Sequence, residues 1–237
     1  MIHIYLIRHS MTAGNLKKRY IGRTDEPLCP EGIALLESYI QKNAYPKVQR
    51  IYVSPMKRCL ETAELIFKNH GSVSDNFRKI EELRECDFGI FENKNYKELS
   101  GCPQYQAWID SGGTMTFPGG ENPDEFRKRC VRGFGKIIKE CRCDQIERVA
   151  VVAHGGTIMS IMDQYARGEN GQPDGSYYDY QVKNGEGYEL IIADVPAGDS
   201  GICTGSHTGG SGVAVSPGEN DRTFDFMGGK NYKKLIP

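Results

Sequence analysis

The sequence predicts one α/β domain, a three-layer α/β/α arrangement with helices on both faces of a mostly parallel sheet. Three observations carry this expectation. Short apolar, β-branched runs alternate with segments whose apolar residues recur at helical spacing. The alternation runs from residue 2 to about residue 195 with no internal repeat. The 237-residue length is enough to bury a core without cross-links.

The elements follow in order. Residues 2–7, Ile-His-Ile-Tyr-Leu-Ile, read as a buried strand that ends at Arg8-His9-Ser10 and a polar stretch. Pro30-Glu31-Gly32 opens a helix to about Gln41, with Ile33, Leu36 and Ile40 on one face. Arg50–Val53 is a second short strand. It stops at Ser54-Pro55, where Ser54 is the expected N-cap of a helix from Lys57 to about Asn69. Residues 79–88 are expected to be extended and then a loop. Residues 100–122 carry Pro103, Gly112, Gly113, Pro118, Gly119 and Gly120, so they read as a short helix around Trp108 and a loop. Asn122-Pro123 starts a long helix with Phe126, Cys130, Phe134, Ile137 and Ile138 as its apolar positions. Arg148–Ala153 is a third strand, followed by His154-Gly155-Gly156 and a helix from Thr157 to Tyr165. Tyr188–Val195 is the last strand expected. From Pro196 to Gly229 nine glycines fall in 34 residues, which reads as a Gly-rich loop or tail on the same domain. Phe224, Phe226 and Tyr232 offer side chains to dock it.

Composition excludes several function classes. Thirty basic residues against 31 acidic ones leave a net charge of −1, without the basic excess of a nucleic-acid binder. No apolar run is long enough for a membrane helix. The N-terminus lacks a basic region, a long apolar run and a cleavage site, so no signal peptide is expected and the location is expected to be cytoplasmic. Eight cysteines are scattered, and only Cys141 and Cys143 lie close together. No pair sits at zinc-ligand spacing, so reduced thiols and no metal site are expected.

Two places share one construction. A strand ends and a histidine follows at once, as Ile7-Arg8-His9 and as Val152-Ala153-His154. Ligands of open α/β sheets bind beyond the carboxyl ends of strands, so both histidines are expected to face one crevice. Arg8 sits beside His9, and Arg58 lies one turn into the helix after the second strand. Arginine forks onto phosphate oxygens, and a neutral imidazole attacks phosphorus. A second, protonated histidine would hold the charge on the phosphoryl group in flight. Gly155-Gly156 before a helix suits an anion, although the Lys-Ser/Thr of a P-loop is missing. His3, His70 and His207 carry no motif. Tyr105 and Trp108 read either as a packing cluster or as a substrate lid.

These residues are set in segments that resemble the histidine phosphatase superfamily, the phosphoglycerate-mutase-like proteins. Arg8-His9-Ser10-Met11-Thr12-Ala13-Gly14-Asn15 is similar to R-H-G-x-T-x-x-N, with Ser10 where the family usually has Gly. Gly22-Arg-Thr-Asp-Glu-Pro-Leu28, Ser54-Pro-Met-Lys-Arg58 with Thr62-Ala63, and Leu83-Arg-Glu85-Cys-Asp-Phe-Gly89 follow in family order. Pro118-Gly-Gly-Glu121 with Phe126 and Arg129 is similar to the small-phosphatase branch, and Val151-Val-Ala-His154-Gly-Gly-Thr157 closes the series.

The resemblance implies His9 as phosphate acceptor, Arg8, Arg58 and His154 as phosphoryl ligands, and Glu85 as proton donor. Asn15 and the amide of Gly155 would line the pocket, and Glu82 is the reserve acid. Ser10 is small enough for its hydroxyl or amide to sit near phosphate. Residues 1–195 are then the catalytic domain and 196–237 an extension. The expected activity is hydrolysis of a small-molecule phosphomonoester without metal or cofactor, releasing inorganic phosphate. Neither a nucleic-acid nor a membrane partner is expected, and a homodimer is a candidate assembly. The Pro-Gly-Gly-Glu arrangement is similar to α-ribazole phosphatases, so α-ribazole phosphate is a candidate substrate. Two alternatives stand. A phosphoglycerate-mutase-type transfer would use Arg127 or Arg129 as extra substrate ligands, and a non-catalytic module would only bind phosphate.

Overall fold

The computed structural model describes residues 1–68, 77–193 and 229–236. The sheet has six strands: β1 (Ile2–Arg8), β2 (Arg50–Val53), β3 (Phe77–Lys79), β4 (Arg148–Ala153), β5 (Gly187–Ile192) and β6 (Tyr232–Lys234), in the order β3-β2-β4-β1-β5-β6. The pairings from β3 to β1 are parallel, and those of β5 and β6 are antiparallel.

Strand alternation sorts the core to two faces. Ile2, Ile4 and Leu6 of β1, Tyr52 of β2, and Val149 and Val151 of β4 meet Phe134, Ile137, Ile158 and Ile161. These belong to helices α5 (Pro123–Cys143) and α6 (Gly155–Tyr165). Ile7, Ile51, Val53, Ala150 and Val152 point the other way, onto Cys59, Ala63 and Phe67 of α3 (Lys57–Phe67). Helix α2 (Pro30–Gln41) packs on α3. The three layers expected from the alternation are therefore present.

A third cluster lies over the sheet end. Cys86, Phe91, Leu99, Phe117 and Phe126 gather with Tyr20, Tyr105 and Trp108, the last two from α4 (Pro103–Asp110). The Trp108 ring stacks on Phe117 at 5.1 Å and on Tyr105 at 6.2 Å between centroids. Of the two readings of this pair, the structure shows the packing cluster.

Several boundaries differ from the sequence reading. Helix α3 is capped by Met56 with no side-chain bond, because the Ser54 hydroxyl is engaged elsewhere. A four-residue helix, α1 (Ala13–Leu16), fills the polar stretch after β1, built on a Thr12/Asn15 capping box. Helix α6 starts at Gly155, and the last core strand starts at Gly187 and ends at Ile192. Of the region 79–88 expected to be extended, only Lys79 is strand, the last residue of β3, followed by a 3-10 turn at Glu81–Leu83. Asn122 caps α5 as expected, accepting from the amides of Asp124 and Glu125 at 2.9 and 3.3 Å.

The Gly-rich stretch with Phe224, Phe226, His207 and Cys203, and likewise His70, falls outside the described residues. Tyr232 does dock, edge-on to Tyr180 and Tyr188. His3 bonds Glu189 across β1 and β5 at 2.8 Å. The seven described cysteines are free thiols, and no cluster of metal-ligating side chains occurs among the described residues. No described helix is long and apolar enough to cross a membrane.

Candidate active site

Sheet register brings the site together. Arg8 pairs with Ala153, and Val53 with Val152. The residues that follow, His9, Ser54 and His154, therefore emerge side by side at one edge. The amide of His9 donates to the Ala153 carbonyl at 2.9 Å and that of Ser54 to Val152 at 3.0 Å. The two imidazoles lie 5.2 Å apart between centroids, nearly edge to face.

His9 is buried, and its Nδ1 donates to the Ser10 carbonyl at 2.6 Å. A carbonyl only accepts, so Nδ1 carries the hydrogen and Nε2 keeps its lone pair. Nε2 has no hydrogen-bond partner among the described residues. Burial, then the charges of Arg58 and Arg8, push the imidazole well below its ordinary value, so it is neutral at pH 7. Arg8 gives Nη1 to the Val182 carbonyl at 2.7 Å, while its buried Nε has no partner.

Ser10 does not serve the pocket as expected. Its hydroxyl donates to the Gly32 carbonyl at 2.7 Å and its amide to Thr62 Oγ1 at 3.0 Å. The side chain that replaces the usual glycine therefore fastens the loop to α2, while the amide, which a glycine would share, fastens it to α3. Asn15 is turned to the loop as well. Its Oδ1 accepts from the Thr12 amide at 3.2 Å and from Asn184 Nδ2 at 3.3 Å. Asn184 also donates to the His9 carbonyl at 3.0 Å. No sequence signal singled out Asn184.

His154 is fully buried with both nitrogens engaged. Arg58 Nε donates to Nδ1 at 3.3 Å, and Nε2 meets the Ser54 hydroxyl at 2.8 Å. Burial and the charge of Arg58 push it well below the ordinary imidazole value, with smaller contributions from His9 and Arg8. The expectation of a protonated second histidine is thus corrected: packed against a guanidinium, it is neutral at rest. Arg58 reaches the site but is heavily committed. Nη1 donates to the Thr24 carbonyl at 2.8 Å, and Nη2 to the Ile21 and Gly22 carbonyls at 3.3 and 2.9 Å. A single Nη1 hydrogen is left, not a fork.

Glu85 faces the same crevice. Its carboxylate accepts from the Cys86 amide at 3.0 Å and the Gly156 amide at 3.4 Å. Burial raises its pKa, against the opposing pull of those amides and of Arg58 and Arg8. Gly156 is fitted to the acid, since a Cβ there would stand 2.7 Å from Glu85 Oε1. Gly155 opens α6 against the Arg8 guanidinium, where a Cβ would be 3.5 Å from Cζ. Glu82 lies apart, paired with Lys136, so it is not the reserve acid.

A cavity of about 390 Å³ opens on the Glu85 side. Arg23, Arg84 and Arg129 line it against Glu81, Asp87, Glu121 and Glu85, with Met56 as the one large apolar lining residue. With Glu85 protonated the charges balance. Arg127 lies over the Tyr177 ring at 4.1 Å, and the Tyr177 hydroxyl donates to the Gly156 carbonyl at 3.4 Å.

Comparison with known proteins places the chain among characterised sequences and folds. The family model for the histidine phosphatase superfamily, branch 1, matches residues 4–192. A protein of Hydrogenobacter thermophilus, provisionally named phosphoserine phosphatase 2, is 31% identical over 166 residues, 68% of this chain and 77% of that protein. The fold is similar to that of an α-ribazole phosphatase from Shigella flexneri, with TM-score 0.69 and 22% identity over 81% of this chain and 91% of that one. It is also similar to a phosphoglycerate mutase from Bacillus anthracis, with TM-score 0.62 and 22% identity over 80% and 87% of the two chains.

Proposed function

The chain belongs to the histidine phosphatase superfamily, and from that premise we propose that it is a metal-independent phosphomonoester hydrolase working through a phosphohistidine on His9. One observation carries the reading: His9 Nδ1 is tied to a backbone carbonyl, which leaves the Nε2 lone pair without a hydrogen-bond partner among the described residues.

The ester phosphate enters beside Arg8, whose unpartnered Nε and remaining Nη hydrogens take its oxygens. His9 Nε2 attacks phosphorus, a P–N bond forms and the P–O bond to the alcohol breaks. Glu85 gives its proton to the departing oxygen, and burial, which raises its pKa, favours the protonated form this step needs. The dianionic phosphoryl group offsets the cationic surroundings that keep both imidazoles neutral, and His154 donates to it by releasing its bond to Ser54. In the second half, the Glu85 carboxylate takes a proton from water, the water oxygen forms a bond to phosphorus as the P–N bond to His9 breaks, and phosphate leaves. Asn15, through Asn184 and the His9 carbonyl, holds the loop around this centre, and the Gly155 amide at the start of α6 is offered to a phosphoryl oxygen.

Hydrolysis is preferred to mutase transfer because each arginine lining the cavity already faces an acidic partner, Arg23 the most loosely, at 3.4 Å from Asp87. Arg129 is fully occupied, and Arg84 is paired with Glu81 at 2.6 Å. The substrate is a small phosphorylated metabolite, with α-ribazole phosphate one candidate for the cytoplasmic enzyme. The test is phosphate release from a panel of phosphomonoesters in EDTA, including α-ribazole phosphate, phosphoserine, sugar phosphates and 3-phosphoglycerate. Release from at least one member is expected. With 3-phosphoglycerate and a trace of bisphosphoglycerate, isomerisation faster than release would overturn the hydrolase reading.

A further inference from the structure

The segment that presents Glu85 has almost no backbone support of its own. The 3-10 turn ends at Leu83, and no backbone N–H among the described residues reaches the carbonyls of Glu82, Arg84 or Glu85. One side chain from α5 takes all three. Arg129 Nη1 donates to the Glu82 carbonyl at 2.8 Å and the Arg84 carbonyl at 3.0 Å, and Nη2 to the Glu85 carbonyl at 3.4 Å. Its Nε and Nη2 fork onto the two oxygens of Glu121 at 2.9 and 2.8 Å. The five N–H donors of the guanidinium are thereby all used. Glu121 completes the clamp from the other side, since its carboxylate accepts from the Asp87 amide at 3.4 Å and its own amide donates to the Asp87 carbonyl at 2.8 Å.

We propose that Arg129 and Glu121 are the positioning pair for the general acid, fixing the 82–87 backbone so that the Glu85 carboxyl stands under the leaving oxygen. Both line the cavity on the Glu85 side, but neither hydrogen-bonds Arg8, His9, Arg58 or His154. The pair acts through the placement of the proton donor, and the proposal rests on the assignment of Glu85 as the acid. Its geometry also removes Arg129 from the candidates for substrate binding. Only a planar fork reaches three carbonyls and both carboxylate oxygens together, so lysine cannot substitute. A proton donor displaced by about 1 Å loses much of its effect on the barrier.

The test compares kcat/KM for an alkyl phosphate and for p-nitrophenyl phosphate, whose leaving group needs no proton. The variants are Arg129→Lys, Glu121→Gln, Glu85→Gln and the Glu85→Gln/Arg129→Lys double variant. Arg129→Lys and Glu121→Gln are expected to lose roughly 10- to 100-fold on the alkyl ester and under about 3-fold on the nitrophenyl ester. The double variant should lose no more on the alkyl ester than Glu85→Gln alone, because the clamp has nothing left to position. Equal losses on both esters, or multiplied losses in the double variant, would overturn the clamp. Should Arg129→Lys fail to fold, Glu121→Gln, which keeps one acceptor and the side-chain volume, decides by the same contrast. Should Glu85→Gln itself fail to distinguish the esters, the acid assignment falls and the clamp with it.

Discussion

The carboxyl ends of β1 and β4 look alike in sequence and are built to opposite ends. Each places a histidine one residue past a buried strand, and burial with neighbouring arginines holds each imidazole neutral. At β1, one nitrogen is spent on the adjacent carbonyl and the other is free. At β4, both are spent, on Arg58 and Ser54. The arginines divide the same way, Arg8 with an unpartnered Nε and Arg58 tied to three carbonyls. The difference separates reactivity from placement. Equal electrostatics make two neutral imidazoles, and hydrogen bonding decides which one can attack.

The strongest way to break this contrast is to remove each histidine in turn. His9→Ala should cut turnover by at least roughly 10³-fold and abolish labelling of the protein by radioactive substrate. His154→Gln should cost roughly 10²-fold while label still accumulates on His9. Rapid quench into alkali with peptide mapping checks both, and label on His154 would reverse the roles.

Glu85 hangs from the β4 end through Gly156, so its loss sharpens what that end contributes. Glu85→Gln should lower kcat/KM by roughly 10²-fold for an alkyl phosphate and far less for p-nitrophenyl phosphate. The pH dependence has a definite sign. Glu85 must be protonated and its pKa is raised, so the rate with the alkyl ester falls as pH climbs through that value. His9 must be neutral and its pKa is lowered, so the acid limb lies below the ordinary imidazole range. An alkaline limb that survives Glu85→Gln would assign the proton to another group.

The two arginines should separate binding from stability. Arg8→Ala is expected to weaken vanadate inhibition by roughly 10- to 100-fold with a small loss in urea stability. Arg58→Ala strands three buried carbonyls and His154, so it should cost about 3 kcal/mol in urea unfolding. If Arg8 proves the more damaging to stability and Arg58 to vanadate binding, the division is wrong.

The smallest effect is thermodynamic. Both histidines are neutral when folded but take up protons when unfolded near pH 6.5. The unfolded state then binds more protons, so stability falls as pH drops through about 6.5 toward the lowered folded values. The midpoint of thermal unfolding between pH 7 and pH 5 should decline, and His154→Gln should flatten that decline.

Local patterning made much of this legible. The strand ends at His9, Ser54 and His154 follow from apolar runs that stop, and Asn122-Pro123 marks a helix start through cap chemistry alone. What escaped is held by contacts between distant segments. Ser54 read as a helix cap because its partner, His154, lies 100 positions away. Asn184 sits in a loop with no periodicity, yet bonds the His9 carbonyl. Thr62 and Gly156 lie inside motif segments but show their use only once the Ser10 amide and the Glu85 carboxylate are seen against them. Arg129 reads from sequence as a motif residue or a substrate ligand, whereas its donors turn inward to the 82–85 backbone and Glu121.

Gly156 carries a consequence for inheritance. A Cβ there would stand 2.7 Å from Glu85 Oε1 and 3.1 and 3.2 Å from the Phe126 ring, so any side chain must turn the carboxylate aside and press on the ring. Positions 85, 126 and 156 are therefore a linked locus: a lineage that changes residue 156 must re-aim its proton donor and make room at the ring. Among descendants of such a chain, an alanine or serine at this helix start would mark a changed donor before any assay was run.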